Sequence, residues 1–218
     1  MNIPQKKTVY FVRHGESEHN IAPVFQGADS RLSQQGIAQA GAVADRLKNV
    51  TFEALISSPY PRAKQTAQAI ADKTGHGIVT SDLFVERKKP SSIEGEPYAD
   101  KTARKVYNDY VASLFASGKQ IEDAENYDSL VARADKALDY LLARPESTLA
   151  VVTHGWFLRV IVARIVLGSQ LNGETLKRFE ELVSINNTSV TVLNYRDAFE
   201  EDFRWRVWTI NDHSHFAE

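Results

Sequence analysis

Thr8-Val9-Tyr10-Phe11-Val12 runs without a spacer into Arg13-His14-Gly15-Glu16. A β-branched and aromatic run of this length reads as a central buried strand, and its abrupt polar end reads as a loop that carries charge. The same event recurs along the chain. Ala54 to Ser57 is a second short strand that opens onto Ser58-Pro59-Tyr60-Pro61-Arg62. Ile78 to Val85 holds at least one more strand and leads to Glu86, and Thr148 to Val152 leads to Thr153-His154-Gly155.

Helical patterns lie between these strands. Ser33 is a favoured N-cap before apolar positions at Ile37, Ala40, Val43 and Leu47. Pro59 and Pro61 suit the opening of the next helix, where first-turn amides have no intrahelical partner. Leu130, Ala134, Leu138 and Leu141 mark an amphipathic helix before the Thr148 strand. Trp156 to Leu167 is apolar but interrupted by Arg159 and Arg164, and it falls below the ~18 residues of a membrane span, so it reads as a buried helix. From Lys88 to about Tyr127 the alternation stops. There Pro90, Gly95, Pro97 and Gly118 surround one helical stretch near Thr102 to Phe115, which reads as an inserted cap. Val190 to Tyr195 and Phe203 to Ile210 read as closing strands that form a hairpin. The sum is an α/β fold, a three-layer α/β/α sandwich with a mainly parallel sheet and a helical cap insertion.

The 218 residues fit one domain spanning 1–218, with the cap at approximately 88–127. With 43% apolar residues and a quarter charged, the chain can bury a sizeable core, which excludes disorder as the default. The 26 basic and 28 acidic side chains nearly cancel, so no whole-molecule field favours nucleic acid or an anionic membrane, and any anion site must be local. The absence of cysteine excludes disulfides, thiolate metal sites and thiol nucleophiles, and with them cysteine-dependent phosphatases. Met1 to Lys7 is polar and Val9 to Val12 is too short for a signal-peptide core, so the expected location is cytoplasmic.

In open α/β sheets ligands bind beyond the carboxyl ends of the strands. Four such ends carry Arg13-His14, Ser57 to Arg62, Glu86 and His154-Gly155. Two histidines, two arginines and a carboxylate at one sheet edge, with no metal-spaced histidines and no Gly-rich phosphate loop, fit phosphoryl transfer through histidine best. A neutral imidazole nitrogen attacks phosphorus directly, and guanidinium forks such as Arg13 and Arg62 match the oxygens of the transferring group. The leaving alkoxide needs a proton from a carboxyl whose pKa is raised by its surroundings, and Glu86 is the candidate. No metal site is expected: His76, His213 and His215 have no partner pattern for one. Trp156, next to the site, is a candidate pocket wall. Arg87 to Lys105 holds six basic and three acidic residues, which suits either a positive rim for a substrate with more than one anionic group or a solvated cap helix.

Val12-Arg13-His14-Gly15-Glu16-Ser17-Glu18-His19-Asn20 resembles the Arg-His-Gly signature of the histidine phosphatase superfamily, also called phosphoglycerate mutase-like. Phe25-Gln26-Gly27, Leu32-Ser33, Gly36 and Gln39-Ala40 are similar to that family's next block. Ser57-Ser58-Pro59, Arg62-Ala63 and Gln65-Thr66-Ala67 resemble its second arginine motif, and Val152-Thr153-His154-Gly155 its second histidine. Asn187-Thr188-Ser189-Val190 and the Asn211 to His215 tail look like its small bacterial members, so the resemblance covers essentially the whole chain. It implies a phosphoglycerate mutase-like fold with His14 as nucleophile, Arg13, Arg62 and His154 as phosphate ligands, Asn20 as a neutral contact and Glu86 as acid/base. The Gly155 amide and the Gln26-Gly27 corner are further expected contacts to phosphate or substrate. The family often has a glycine between its acid and a following Glu-Gly, which Glu86-Arg87-Lys88-Lys89-Pro90 does not reproduce, so Glu94 and Glu96 stay open as replacements for Glu86.

The expected function is a metal-independent, cofactor-free phosphatase that hydrolyses phosphomonoesters of small metabolites through a phosphohistidine. The alternatives are a cofactor-dependent phosphoglycerate mutase and a phosphoprotein phosphatase of the phosphohistidine type. The expected partner is a small phosphorylated substrate, with no nucleic acid and no membrane, and a homodimer is compatible with the sequence.

Overall fold

The computed structural model describes residues 6–18, 22–197 and 204–216. Strands β1 (Lys6–Arg13), β2 (Ala54–Ser57), β3 (Ile78–Thr80), β4 (Thr148–Thr153), β5 (Val190–Arg196) and β6 (Trp205–Asp212) form one sheet in the order β3-β2-β4-β1-β5-β6. The four strands β3, β2, β4 and β1 run parallel, while β5 pairs antiparallel with β1 and β6 with β5. The closing hairpin is therefore present, although Phe203 lies outside the described residues. Only Ile78–Thr80 of the Ile78 to Val85 stretch is strand; Asp82–Phe84 turns into a short 3-10 helix capped by the Ser81 side chain.

Helices α1 (Gln34–Leu47) and α2 (Pro61–Thr74) cover one face of the sheet. Helices α4 (Tyr127–Ala143), α5 (Gly155–Leu167) and α6 (Gly173–Leu182) cover the other, with α3 (Lys101–Ser113) at its margin. Alternation along the central strands feeds both cores: Val9, Phe11, Leu149 and Val151 point to one, and Val12, Ala150 and Val152 to the other. Burial on both faces is why these strands are continuously apolar. In α1 the buried stripe is Gly36, Ala40, Val43, Ala44 and Leu47, whereas Ile37, expected in the core, is 52% exposed. Helix α6 was invisible as a periodic pattern because only Leu176 of its ten residues is buried.

The loop after β1 is pinned to the start of α1. Ser33 caps α1 by accepting from the Gly36 amide and donates to Glu16 Oε1, while its own amide donates to the Glu16 carbonyl. Gly15 and Gly36 meet at van der Waals distance: a Cβ on Gly36 would stand 1.9 Å from the Glu16 carbonyl oxygen, and one on Gly15 2.5 Å from that of Gly36. Backbone cannot give way as a flexible side chain can, so Gly36→Ala is expected to cost about 3 kcal/mol or more. A fall in the urea midpoint at unchanged m-value would show it; an unchanged midpoint would mean that α1 shifts freely.

Candidate active site

His14 follows the last residue of β1 and is held there by its neighbours. Its amide donates to the Thr153 carbonyl of the adjacent β4 at 3.0 Å, and its carbonyl accepts from Asn187 Nδ2 at 2.9 Å. The Gly15 amide donates to Thr66 Oγ1, which in turn donates to the Arg62 carbonyl. The second arginine motif thus braces the first histidine loop. His14 is 3% exposed. Its Nδ1 lies 2.6 Å from the Gly15 carbonyl oxygen, which can only accept, so Nδ1 carries the ring proton and Nε2 keeps its lone pair. Arg62 Nε donates to that Nε2 at 3.2 Å.

Arg62 is buried in the first turn of α2, with Nη1 donating to the Gly27 and Ala28 carbonyls and the guanidinium 5.1 Å from the Tyr60 ring. Arg13 donates through Nη1 to the Ile185 carbonyl at 2.6 Å and crosses the start of α5. Gly155 leaves room for that crossing: a Cβ there would stand 3.0 Å from Arg13 Nε. His154 is fully buried, its ring 4.9 Å from that of His14, and its Nε2 lies 2.8 Å from Ser58 Oγ. Two buried atoms here, Arg13 Nε and His154 Nδ1, have no hydrogen-bond partner among the described residues. Buried polar atoms left unpaired are costly, so a polar ligand gains by meeting them.

Burial pushes both imidazoles well below the ordinary histidine range, reinforced by Arg62, by Arg13 and, for His14, by His154. Both are neutral at pH 7. Because their folded pKa is depressed, the unfolded chain binds protons that the native state refuses as pH falls below ~6.5. Stability is therefore expected to drop from about pH 6.5 downward with a slope approaching ~1.4 kcal/mol per pH unit for each histidine. Urea midpoints measured at pH 7 and pH 5 would show this, and His14→Asn should flatten the slope; a flat profile in wild type would mean that both imidazoles titrate normally in the fold.

Glu86 sits beyond the 3-10 turn, and its carboxylate caps the start of α5. Oε1 accepts from the Phe157 amide at 3.0 Å and the Arg87 amide at 2.9 Å, and Oε2 accepts from the Trp156 amide at 3.3 Å. The expectation of a raised pKa is corrected. Burial does push it up, but the charge of Arg87, the Arg87 amide, Arg62 and the Trp156 amide outweigh burial and hold the carboxyl below the usual glutamate range. Glu94 and Glu96, the alternatives, are exposed.

Arg133 of α4 braces the backbone that leads to Glu86. Its guanidinium donates to the carbonyls of Leu83, Val85 and Glu86, pairs through Nε and Nη2 with Glu125, and lies 3.6 Å from the Phe157 ring centroid. Sequence reading missed Arg133, Ser58, Asn187 and Ile185. Only Ser58 and Asn187 carried a signal, as members of quoted motifs. Gln26 donates to Ser17 Oγ at 2.6 Å, beside the Gly27 carbonyl that receives Arg62. Trp156 is buried, with Arg87 stacked 4.7 Å from its ring. His19 and Asn20 lie outside the described residues. The Asn211 to His215 tail docks on the Asn187 loop, with Asn211 Oδ1 accepting from the Asn186 amide and Asp212 pairing with Arg46. Among the described residues no cluster of metal-ligating side chains is found, and no helix is long and apolar enough to cross a membrane.

Comparison with known proteins agrees with this geometry. The histidine phosphatase superfamily (branch 1) matches residues 9–211. The chain is 30% identical over 219 residues to a protein of Erwinia tasmaniensis named as a probable phosphoglycerate mutase GpmB, covering 96% of this chain and 95% of that one. It is 31% identical over 209 residues to a Yersinia pestis protein of the same name, with coverage of 95% and 94%. Among solved structures, the mycobacterial glucosyl-3-phosphoglycerate phosphatase superposes with a TM-score of 0.74 at 22% identity, over 95% of this chain and 99% of that one. The alpha-ribazole phosphatase of Shigella flexneri gives a TM-score of 0.76 at 16% identity, over 94% and 96%. The fold match, the family match across the motifs and the identity to full-length relatives agree: the chain belongs to branch 1 of the histidine phosphatase superfamily.

Proposed function

We propose that the protein is a metal-independent phosphomonoester hydrolase acting on a small phosphorylated metabolite, with His14 as nucleophile and Glu86 as acid and base. The observation that carries this reading is the fixed tautomer of His14, whose Nε2 lone pair faces Arg62 beside two buried polar atoms without partners among the described residues, Arg13 Nε and His154 Nδ1. A phosphoryl group at that point meets a nucleophile and guanidinium donors for its oxygens.

In the first step the Nε2–P bond forms and the P–O ester bond breaks, and the leaving oxygen takes its proton from Glu86. Water then attacks phosphorus, Glu86 accepts the water's proton, and the N–P bond breaks to release phosphate. Glu86 must therefore be protonated once substrate is bound, although it is held low in the free protein. A phosphate dianion between Arg13 and Arg62 cancels the positive field that contributes to that depression, leaving burial to raise the pKa. Burial of both imidazoles keeps His14 unprotonated in the free protein well into the acid range.

The second reading is a phosphoglycerate mutase, favoured by the name of the relatives at 30–31% identity. The hydrolase is preferred because the stretch Glu86-Arg87-Lys88-Lys89-Pro90 lacks the longer motif around the acid expected of dedicated mutases. A phosphoprotein substrate is disfavoured by residues 88–127, proposed to act as a cap: Pro97 pairs with Val24, and Lys89 donates to the Gln26 carbonyl, which closes over the loop that carries Gly27. The test is an EDTA-treated assay on p-nitrophenyl phosphate, sugar phosphates, phosphoglycerates and nucleotides, with isomerisation scored in parallel. Release of inorganic phosphate is expected. Isomerisation of phosphoglycerate with little release would make the enzyme a mutase, and loss of activity with EDTA would overturn the metal-independent mechanism.

A further inference from the structure

The segment 185–189, just before β5, makes four contacts with Arg13 and His14. The Ile185 carbonyl accepts from Arg13 Nη1, the Thr188 amide donates to the Arg13 carbonyl at 2.9 Å, the Ser189 carbonyl accepts from the Arg13 amide at 3.3 Å, and Asn187 Nδ2 donates to the His14 carbonyl at 2.9 Å. Asn187 therefore holds the carbonyl of the His14–Gly15 peptide while Thr66 Oγ1 holds its amide. With that peptide plane fixed on both sides, the Gly15 carbonyl stays in reach of His14 Nδ1, the contact that sets the tautomer.

The turn that delivers Asn187 is strained. The Ser189 amide closes it onto the Asn186 carbonyl at 3.1 Å, and Thr188, fully buried, takes a φ of 56°. A β-branched residue rarely adopts that left-handed conformation, and it persists only where the surroundings over-determine it. Part of what holds it comes from the edge of the sheet, two strands away from β1. Between the pairs Val190–Asp212 and Val192–Thr209 the register of β5 with β6 shifts, so that Ile210 and Asn211 together oppose Thr191 in a β-bulge. Asn211 occupies the left-handed place in the bulge at a φ of 53°, which asparagine tolerates through its short polar side chain. So turned, its amide donates to Thr191 Oγ1 at 3.2 Å and its Oδ1 accepts from the Asn186 amide at 2.6 Å. Neither side-chain amide can be reversed, because Asn187 faces a carbonyl and Asn211 faces an N–H.

We propose that Asn187 and Asn211 are positioning residues for the nucleophile: the bulge in β6 fixes the strained turn, and the turn fixes the His14 imidazole for attack on phosphorus. The assignment rests on the reading of His14 as phosphoryl acceptor. A displacement of about 1 Å at the attacking atom can cost up to ~10²-fold in rate, so a clamp this far from the chemistry has a measurable effect.

The test compares wild type with Asn187→Ala, Asn211→Gly and Asn211→Asp, well below the melting midpoint of each. Glycine keeps the left-handed backbone and removes the acceptor, whereas aspartate tolerates the same backbone and restores an acceptor oxygen. By rapid quench with p-nitrophenyl phosphate, phosphoenzyme formation at saturation is expected to slow about tenfold in Asn187→Ala and Asn211→Gly, with little change in the half-saturating concentration, because the segment does not touch Arg62 or His154. Asn211→Asp should recover most of the rate. A role in stability alone would lower the melting midpoint and leave the rate of the folded protein as it is. The ring nitrogens of His14, assigned by nuclear magnetic resonance against His14→Asn, read the same effect without turnover: one tautomer in wild type and Asn211→Asp, a mixture in the other two. Wild-type rates and a single tautomer in Asn187→Ala and Asn211→Gly overturn the proposal, and so does an Asn211→Asp protein as slow as Asn211→Gly. If wild type released no phosphate from any ester, the hydrolase reading would fall by itself, and the ring nitrogens would still decide the positioning.

Discussion

His14→Ala is expected to lower kcat/KM for every phosphomonoester substrate by about 10⁴-fold or more while leaving the fold in place. The size follows from the role: the imidazole forms the bond to phosphorus, and no other neutral nucleophile has its lone pair set by geometry in the same way. His154 lies 4.9 Å away, ring to ring, but its Nε2 meets the Ser58 hydroxyl, which can donate or accept, so no contact fixes its tautomer as the Gly15 carbonyl fixes that of His14. Substrate affinity should survive, because Arg13, Arg62 and His154 remain. The check is twofold: steady-state kinetics, and trapping of an acid-labile, base-stable phosphoenzyme that wild type forms and the variant does not. Activity within about tenfold of wild type would remove His14 from the mechanism.

Glu86→Gln carries the second large effect, and its signature is dependence on the leaving group. For alkyl phosphates, whose alkoxide must be protonated as it departs, kcat/KM is expected to fall by about 10²–10³-fold. For p-nitrophenyl phosphate the loss should be several-fold only, since p-nitrophenolate departs without a proton, and kcat/KM reports only the steps through formation of the phosphoenzyme. The substitution is a mild one structurally. A glutamine oxygen placed as Oε1 keeps the Phe157 and Arg87 amides, and only the 3.3 Å contact from the Trp156 amide is lost. Equal losses for alkyl and nitrophenyl esters would show that Glu86 holds the start of α5 rather than moving a proton. Glu94→Gln serves as the comparison: that carboxylate is exposed, and its loss should leave the difference between leaving groups unaltered.

Arg133 connects these chemical expectations to the architecture. Its three carbonyl contacts and its pair with Glu125 fix the segment that ends in Glu86, and Glu125 in turn accepts from the Lys88 amide. One side chain of α4 therefore sets the position of the carboxylate and ties it to the stretch that carries Lys89. None of this is visible in the motif around Glu86, because the bracing residues are far from it in sequence.

The strands, most of the helices and the charged strand ends were legible from sequence because each depends on neighbours along the chain. Val9 to Val12 and Leu149 to Val152 are uncharged β-branched, aromatic and aliphatic runs, Ser33 caps the helix that follows it, and Arg13, His14, Arg62 and His154 all follow or closely flank strand ends. The tertiary structure decided what depends on groups distant in sequence. The closing hairpin joined the sheet through β5 beside β1, Ile37 turned to solvent, and α6 packed through buried Leu176 and partly buried Phe179. The ionisation of Glu86 is the clearest case. Its direction is a sum over burial, two cations and amides contributed by residues as far along the chain as Trp156 and Phe157, and no local pattern contains that sum. Local sequence thus determined which residues stand at the sheet edge, and long-range packing determined their protonation, because propensity acts between neighbours whereas desolvation and charge act through space.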